Sequence, residues 1–452
     1  MIESQRVTLL NDVPEQPGDY IFYWMQNSQR AEFNPALEVA IGEANRRRLP
    51  VLVGFGLTED YPEANARHYA FMLEGLAETE RAMRAWGLGF VVRRGNPADV
   101  AIELAQQAAL VICDRGYLRL QKQWRGEVAA KAGRRVMQVE GDVVVPVELV
   151  STKAEIGART LRPKLLRLRE EFLRPVPHNR PHVPATQLGI ASDVVLADVP
   201  ALLADLPINH GVTPVRHFRG GYSEARRHLD KFIAERLGHY VAERANPAAA
   251  MVSVLSPYLH FGQISPVEIA LSIHDAASPS ENRLSYLEEL IVRRELAMNF
   301  VNTTSNYDRY ECLPQWARQT LSEHRLDHRP HVYGYEQLAT ADSHDPYWNA
   351  AMCEMLVTGY MQNHMRMYWG KKVLEWSVSP EEGYASLLRL NNTFFIDGRD
   401  ANSYANVGWI FGLHDRPWPE QPIYGKVRSM TAASLERKTD IAAYVRKVRA
   451  MN

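Results

Sequence analysis

The 452-residue sequence is poor in cysteine: Cys113, Cys312 and Cys353 stand far apart and form no CxxC pair. That spacing speaks against a disulfide or cysteine-metal framework and for reduced structural thiols of a cytosolic protein. Excess charge of either sign is also missing, with 52 Lys+Arg against 53 Asp+Glu. Any surface for a polyanion must therefore come from local clustering. No apolar run approaches the roughly 18 residues of a membrane span. The first residues, MIESQRVTLLNDVPEQPGD, contain no apolar signal core. The expectation is a soluble cytoplasmic protein. A glycine-rich phosphate loop, a zinc signature and a nucleophile elbow are absent too, so no metal site is expected.

What is present falls into two patterns. In the first third, short β-prone apolar runs start at Tyr20, Pro50, Gly89, Ala109 and Arg135, with helix-like segments such as NPALEVAIGEANRRR between them. Continuous apolar strands separated by amphipathic helices predict a doubly wound parallel sheet, a Rossmann-like α/β domain over residues 1–150. Its ligand is open: GFGL at Gly54 is an incomplete glycine fingerprint. Asp114, Arg115, Arg93 and Arg94 fall at strand ends, where open sheets bind ligands, or are ordinary loop residues.

Residues 151–215 are first basic, then proline-rich, and read as an interdomain linker with a solvated face. From there the pattern is helical, giving an all-α domain over 216–452. One helix carries an apolar stripe through Leu229, Phe232, Ile233 and Leu237, and another places Leu287, Ile291 and Met298 on one side. From Tyr424 to Asn452 there are seven Lys/Arg against two Asp/Glu, a local positive surface hidden by the neutral total.

The densest stretch is Gly359 to Trp376, rich in methionine, aromatics and cations. Trp369, Val373 and Trp376 recur at helical spacing, which sets the two indoles ~10 Å apart on one face. Arg366, three residues before Trp369, can converge with it on one object. The plain alternative is a core helix using methionine as filler. Ser256 before Pro257 reads as an N-cap whose free N–H groups would favour a phosphate, or as a plain capped helix. Glu289 and Arg293, four apart, could form a helix-surface pair. Asp397 and Asp400 flank Gly398-Arg399 in a turn and make a poor metal set.

In order, LSPYLHFGQIS, LEELIVRREL, HDPYWN, TGYMQNHMRMYWGKKVLEW, DGRDANSYANVGW and HDRPW resemble the flavin-binding domain of the photolyase/cryptochrome family. Their spelling is that of class II cyclobutane pyrimidine dimer DNA photolyases. They span about Tyr240 to Tyr424, and the α/β part resembles the family's antenna domain in position. The resemblance implies a lyase that uses photoexcited reduced FAD to split pyrimidine dimers in UV-damaged DNA, double-stranded and single-stranded, as a monomer. A second antenna chromophore of deazaflavin, folate or flavin type is left open.

Carried over residue by residue, it implies that Tyr240, Ser253, Val254, Leu255 and Ser256 hold the FAD phosphates and ribityl chain. Arg366 and Asp397 would form the ion pair beside the flavin ring, with Gly398 and Arg399 in the same segment, Asn391 near N5, and Arg293 and Asn299 lining the pocket. Trp369, Trp348 and Trp376 would carry electrons, with Tyr333 as an extra donor. Glu289 would bond the dimer's base edge, and Met367 and Trp409 would wall the flipped bases, an extrusion known for photolyases in general. Trp418, Lys426 and Arg428 would fill the vacated duplex and meet phosphates.

Two departures stand out. Arg293 replaces a tryptophan found in some relatives, and NFVNTTSN lacks an aromatic pair common after NF. A sensor of cryptochrome type, without repair, and repair of (6-4) photoproducts are the alternatives.

Overall fold

The computed structural model describes residues 2–451. Six strands form one sheet: β1 (Val7–Leu9), β2 (Tyr20–Trp24), β3 (Val51–Leu57), β4 (Gly89–Arg94), β5 (Ala108–Asp114) and β6 (Val136–Val139). Their order is β1-β6-β5-β2-β3-β4, with β2 to β6 parallel and β1 antiparallel at one edge. The five apolar runs are thus strands. β2, β3 and β5 are buried at every residue, as a sheet covered on both faces requires. β1 is three mostly exposed residues and leaves no apolar signature.

Asn34 and Asn65 start the first two helices, Pro35–Arg47 and Ala66–Ala85, by accepting the N–H groups of Leu37 and Arg67. The strand-end residues singled out in the sequence are taken up internally. Asp114 accepts the N–H groups of Gln26, Asn27 and Ser28 at 2.8–3.0 Å and the Tyr23 hydroxyl at 2.7 Å. Arg115 pairs with Glu140 and Glu148, Arg93 with Glu103, and Arg94 with Asp205. They hold the turns and are not left to a ligand.

The stretch expected to be a surface linker contains a 15-residue helix, Ala158–Phe172. It buries Leu161, Leu165 and Phe172 in a core shared with Leu229, Phe232 and Leu237 of the helical half. Phe71, Val144 and Val145 of the α/β half enter the same core. The valine run after β6 is therefore an interface and no strand: the Val144 and Val145 N–H groups donate to the Glu295 carboxylate.

Polar clamps complete the junction. Arg67 donates to the carbonyls of Met355, Leu356 and Phe394, and His68 Nε2 lies 2.9 Å from that of Phe395. The carbonyls Arg67 meets lie in the last turns of helices Pro346–Thr358 and Pro380–Phe394, where a cation is favoured at the carbonyl end of the helix. At Gly262, φ is +63° and a Cβ would lie 1.7 Å from the Asn27 carbonyl oxygen, so only glycine permits this approach.

Candidate active site

The helix Asn363–Trp376 begins on Gln362, whose Oε1 accepts the N–H of His364 at 2.7 Å and of Met365 at 3.3 Å. The Gln362 amide also donates to the Arg244 carbonyl. One turn in, Arg366 Nη2 lies 3.1 Å from both carboxylate oxygens of Asp397. Its Nε donates to the Met361 carbonyl at 2.9 Å, and its guanidinium stands 3.9 Å above the Phe395 ring. Three contacts fix the direction of one half-buried cation, which only an arginine fork can satisfy at once.

Asp397 is presented by a tight turn. The Gly398 N–H donates to the Phe395 carbonyl at 3.0 Å. A Cβ on Gly398 would come within 2.8 Å of the Asn391 and Asn392 carbonyl oxygens. The glycine thus lets the turn lie against helix Pro380–Phe394. Asn391 donates to Asn392 Oδ1 at 3.1 Å, and that oxygen also takes the Arg399 N–H at 2.9 Å. Asn392 donates in turn to Glu63 of the α/β half at 2.6 Å. Neither Glu63 nor Asn392 carried a signal in the sequence, because 329 residues separate them.

Behind the ion pair lie three buried tryptophans, Trp348, Trp369 and Trp376. Trp369 meets Phe395 edge-on at 5.9 Å, and Trp348 meets Trp376 at 5.6 Å. The Trp348 indole N–H donates to the Trp369 main-chain carbonyl at 3.0 Å, whereas the buried Trp369 N–H has no partner.

The phosphate-cap expectation at Ser256 is corrected. Ser256 lies inside a five-residue helix, Ser256–His260, whose cap position is Leu255 and makes no side-chain bond. The preceding loop is unusual in another way: Val254 takes φ +54°, a left-handed conformation that costs a β-branched residue ~1–3 kcal/mol. Ser253 receives the Tyr286 hydroxyl at 3.0 Å, and Tyr286 packs on Tyr240 at 5.4 Å. Leu255 is part of the buried core.

Asn299 does not line this pocket. Its amide is fully engaged with the crossing between the halves, accepting the Glu155 N–H and donating to the Ser151 and Lys153 carbonyls.

Nor do Glu289 and Arg293 pair with each other. Residues Glu288–Arg293 form a π-helical segment between two α-helices, which shifts the register by one residue. Glu289 instead binds Arg244 at 2.9 Å, and Arg293 faces Glu288 at 3.5 Å while covering the Trp409 ring at 5.8 Å. Glu288 also takes a two-point contact from Arg162 of the linker helix. Arg244, missed in the sequence, is the cation that orients Glu289.

Further along, Trp418 lies between two guanidiniums, Arg416 at 5.3 Å and Arg428 at 5.0 Å. Its indole N–H donates to Asp415, and its backbone N–H donates to the Lys426 carbonyl at 2.8 Å. Arg416, Lys426 and Arg428 are exposed and Met367 and Trp409 half-buried. Arg416 adds a cation that no motif indicated.

Arg399 turns away from the Arg366–Asp397 pair. Its φ is +65°, and its guanidinium lies 5.8 Å from the Tyr61 ring. It lines a cavity of about 120 Å³ between the halves, with Gln26, Gln29, Tyr61, His68 and Trp124 among the walls. Arg399 Nε and Nη1, Gln26 Oε1 and Gln29 Oε1 are buried without partners. Burial weakens the proton affinity of Arg399 and holds His68 well below the usual imidazole range. Tyr61 is pushed up to about 12 by burial. Burial raises the Asp400 carboxyl, but His260 at 3.3 Å, the Arg294 charge and the Asn402 N–H together outweigh this and bring it down to about 2.

The fold and its relatives place the chain in the DNA photolyase family. The DNA photolyase family model matches residues 21–183. A deoxyribodipyrimidine photo-lyase of Methanothermobacter thermautotrophicus is 43% identical over 452 residues, covering 100% of this chain and 99% of the relative. Two solved structures share the fold. A bacterial class III photolyase from Agrobacterium tumefaciens has a TM-score of 0.73 at 17% identity, covering 97% of this chain and 88% of that one. An archaeal photolyase from Sulfolobus tokodaii with two FAD molecules has a TM-score of 0.69 at 18% identity, covering 95% and 89%. Among the described residues no helix is long and apolar enough to cross a membrane, and no cluster of metal-ligating side chains occurs.

Proposed function

We propose that the protein is a deoxyribodipyrimidine photo-lyase of the class II type, which uses FAD and light to split cyclobutane pyrimidine dimers in DNA. The observation that carries this reading is the Arg366–Asp397 pair beside the buried tryptophan series. The surroundings fit a bound flavin: buried Trp369 Nε1 lacks a partner, and the strained Val254 loop suits a site held for something other than packing. When bound, reduced FAD supplies the photoexcited electron that opens the cyclobutane ring.

The chain's own residues do the rest. Arg366 provides a fixed positive charge, and Asp397 keeps it from swinging away, so no reorganisation is needed when negative charge arrives. The tryptophans give electrons a route toward the site. Glu289, steadied by Arg244, offers a hydrogen bond to the dimer's base edge. Trp409, backed by Arg293, forms a stacking wall with Met367 alongside. Trp418 and its flanking arginines enter the gap in the duplex, and Lys426 meets phosphate.

The interdomain cavity fits a second, light-harvesting chromophore. Its unpartnered Arg399 donors and glutamine acceptors, between aromatic walls, suit a flat polar heteroaromatic molecule. Replacing Arg399 by Gln is expected to lower chromophore retention while FAD content stays constant.

The test of the main reading uses purified, reduced, FAD-loaded protein. It is mixed with DNA carrying either cyclobutane dimers or (6-4) photoproducts, and lesions are counted after blue light and in the dark. Repair of the cyclobutane lesion alone, and only in light, is expected. Repair of the other lesion alone would reassign the substrate, and no repair of either would favour a sensor.

A further inference from the structure

Four side chains from one short stretch of the α/β half grip four consecutive residues of the helical half. Glu63 accepts the Asn392 amide N–H at 2.6 Å, and Asn65 donates to the Thr393 carbonyl at 2.8 Å. Arg67 donates to the Phe394 carbonyl at 2.6 Å, and His68 Nε2 lies 2.9 Å from that of Phe395. The gripped stretch starts beside Asn391 and ends two residues before Asp397. Three of the four contacts reach main-chain carbonyls and dock the halves together. Glu63 alone reaches a side chain, and that side chain, Asn392, is 0% exposed. Glu63 makes this contact from a left-handed backbone conformation, φ +59°, which is uncommon outside glycine. Strain of this kind persists where the surroundings impose it, often at a functional site.

A side-chain amide has a donor end and an acceptor end, and its neighbours decide which way it points. For Asn392 they leave one choice. The Arg399 main-chain N–H can only donate, and it meets Oδ1 at 2.9 Å. The Glu63 carboxylate accepts, and it meets Nδ2. Asn392 therefore presents an acceptor to Asn391 as well, and Asn391 Nδ2 turns to it at 3.1 Å. That direction leaves Asn391 Oδ1 over, and it receives no hydrogen bond from the described residues.

We infer that Glu63 is a positioning residue for the flavin site: acting through Asn392, it sets the Asn391 amide so that its oxygen, and not its NH₂ group, is free. The inference rests on the reading of Asn391 as the residue near flavin N5. At that place the direction of the amide matters. Flavin N5 carries a hydrogen when reduced and a bare lone pair when oxidised. A free amide oxygen accepts from the first and repels the second, whereas an NH₂ group would do the reverse. The chain thus favours reduced FAD, the form the proposed reaction uses. A residue of the α/β half, outside the helical domain, enforces that preference.

The test is a redox titration of FAD-loaded protein, which gives the ratio of its affinities for reduced and oxidised FAD. Glu63→Leu should lower this ratio by roughly two- to tenfold, the factor that one hydrogen bond is worth. Glu63→Gln keeps an acceptor for Asn392 without the charge and should stay close to wild type. Asn392→Asp sets two carboxylates against each other and should lower the ratio. Combining Glu63→Gln with Asn392→Asp restores the bond, the glutamine now donating to the aspartate, and should restore the ratio. Asn65→Ala controls for docking: it should lower thermal stability and leave the ratio unchanged.

An unchanged ratio in Glu63→Leu would overturn the inference. So would an equal fall in Glu63→Gln, which would make charge the cause, or in Asn65→Ala, which would reduce Glu63 to a docking contact. Asn391→Leu probes the underlying reading separately. If it leaves the ratio unchanged, Asn391 does not face N5, and the inference falls with that reading. If it lowers the ratio and Glu63→Leu does not, only the link through Asn392 is wrong. Glu63 is exposed, so its variants leave the core intact and decide the matter even where an Asn392 variant fails to fold.

Discussion

The indole N–H of Trp348 donates to the main-chain carbonyl of Trp369 at 3.0 Å, so a side chain of one helix is pinned to the backbone of the next. Both residues are buried, and the contact aligns helix Pro346–Thr358 with helix Asn363–Trp376 across the loop that separates them.

Trp348→Phe breaks that link and interrupts the indole series. Light-driven reduction of oxidised flavin should fall to background, while chemically pre-reduced protein should repair at nearly the normal rate. Stability should drop by about 1–2 kcal/mol through the smaller side-chain volume and the missing hydrogen bond. Flavin bleaching under light, repair by pre-reduced protein and a denaturant titration measure the three quantities. Loss of repair after pre-reduction would show Trp348 to be needed for the fold or the chemistry itself.

Asp397→Asn leaves the shape of the turn but strands the Arg366 guanidinium over Phe395. The pair is partly accessible, so the stability cost should be about 1–3 kcal/mol, below that of a fully buried pair. The amide cannot neutralise or orient the cation, and the FAD-to-protein ratio after purification should fall. Arg366→Lys should behave similarly, because a lysine cannot keep the forked contact and the Met361 bond together. Full FAD content in both variants would remove the pair from the cofactor site.

The DNA surface separates into two kinds of contact. Substituting Arg416, Lys426 or Arg428 by Ala should weaken binding to any duplex and reduce the salt slope by roughly 0.9 for each phosphate left without its cation. Trp409→Ala should cost about 1–3 kcal/mol on dimer-containing DNA and little on undamaged DNA, because stacking needs an extruded base. Titrations of both DNAs at several salt concentrations distinguish them. Equal weakening on both for Trp409→Ala would place that tryptophan outside the substrate pocket.

Lys371 offers a pH test of the core. It is fully buried, its ammonium donates only to the Ile410 carbonyl at the end of helix Ala401–Ile410, and burial lowers it to about 7. In the unfolded chain a lysine holds its proton up to a pH of about 10.4. Between these values the unfolded state binds more protons, so this residue makes stability rise with pH across the window, and its full penalty is present below 7. Lys371→Met should therefore be more stable than wild type near neutrality, by on the order of 1–4 kcal/mol less the hydrogen bond removed. The difference should shrink toward pH 10. Unfolding titrations of both proteins across this range give the answer; a constant difference would mean the amine is not the titrating group.

Much of this protein follows from the sequence alone. Five of six strands announce themselves as apolar runs, and the helical half shows its stripes, because burial of one face imposes a local period of two or 3.6 residues. The same local chemistry placed Trp369, Val373 and Trp376 on one helix face. The order of the motifs carried the family.

Only the tertiary structure decided the partners. Glu289 meets Arg244 across 45 residues and Asn392 meets Glu63 across 329, whereas the Arg366–Asp397 pair, 31 apart, was already implied by the family motifs. None of these separations has a period that a linear pattern can register. The π-helical turn at Glu288–Arg293 undid the expected Glu289–Arg293 pair, since one added residue per turn rotates every side chain that follows. Asn299 went elsewhere because its partners, Ser151, Lys153 and Glu155, come from far along the chain, and Arg399 turned to the Tyr61 ring of the α/β half. A buried polar side chain is directed by whichever unsatisfied groups surround it, and those groups are gathered only when distant segments pack.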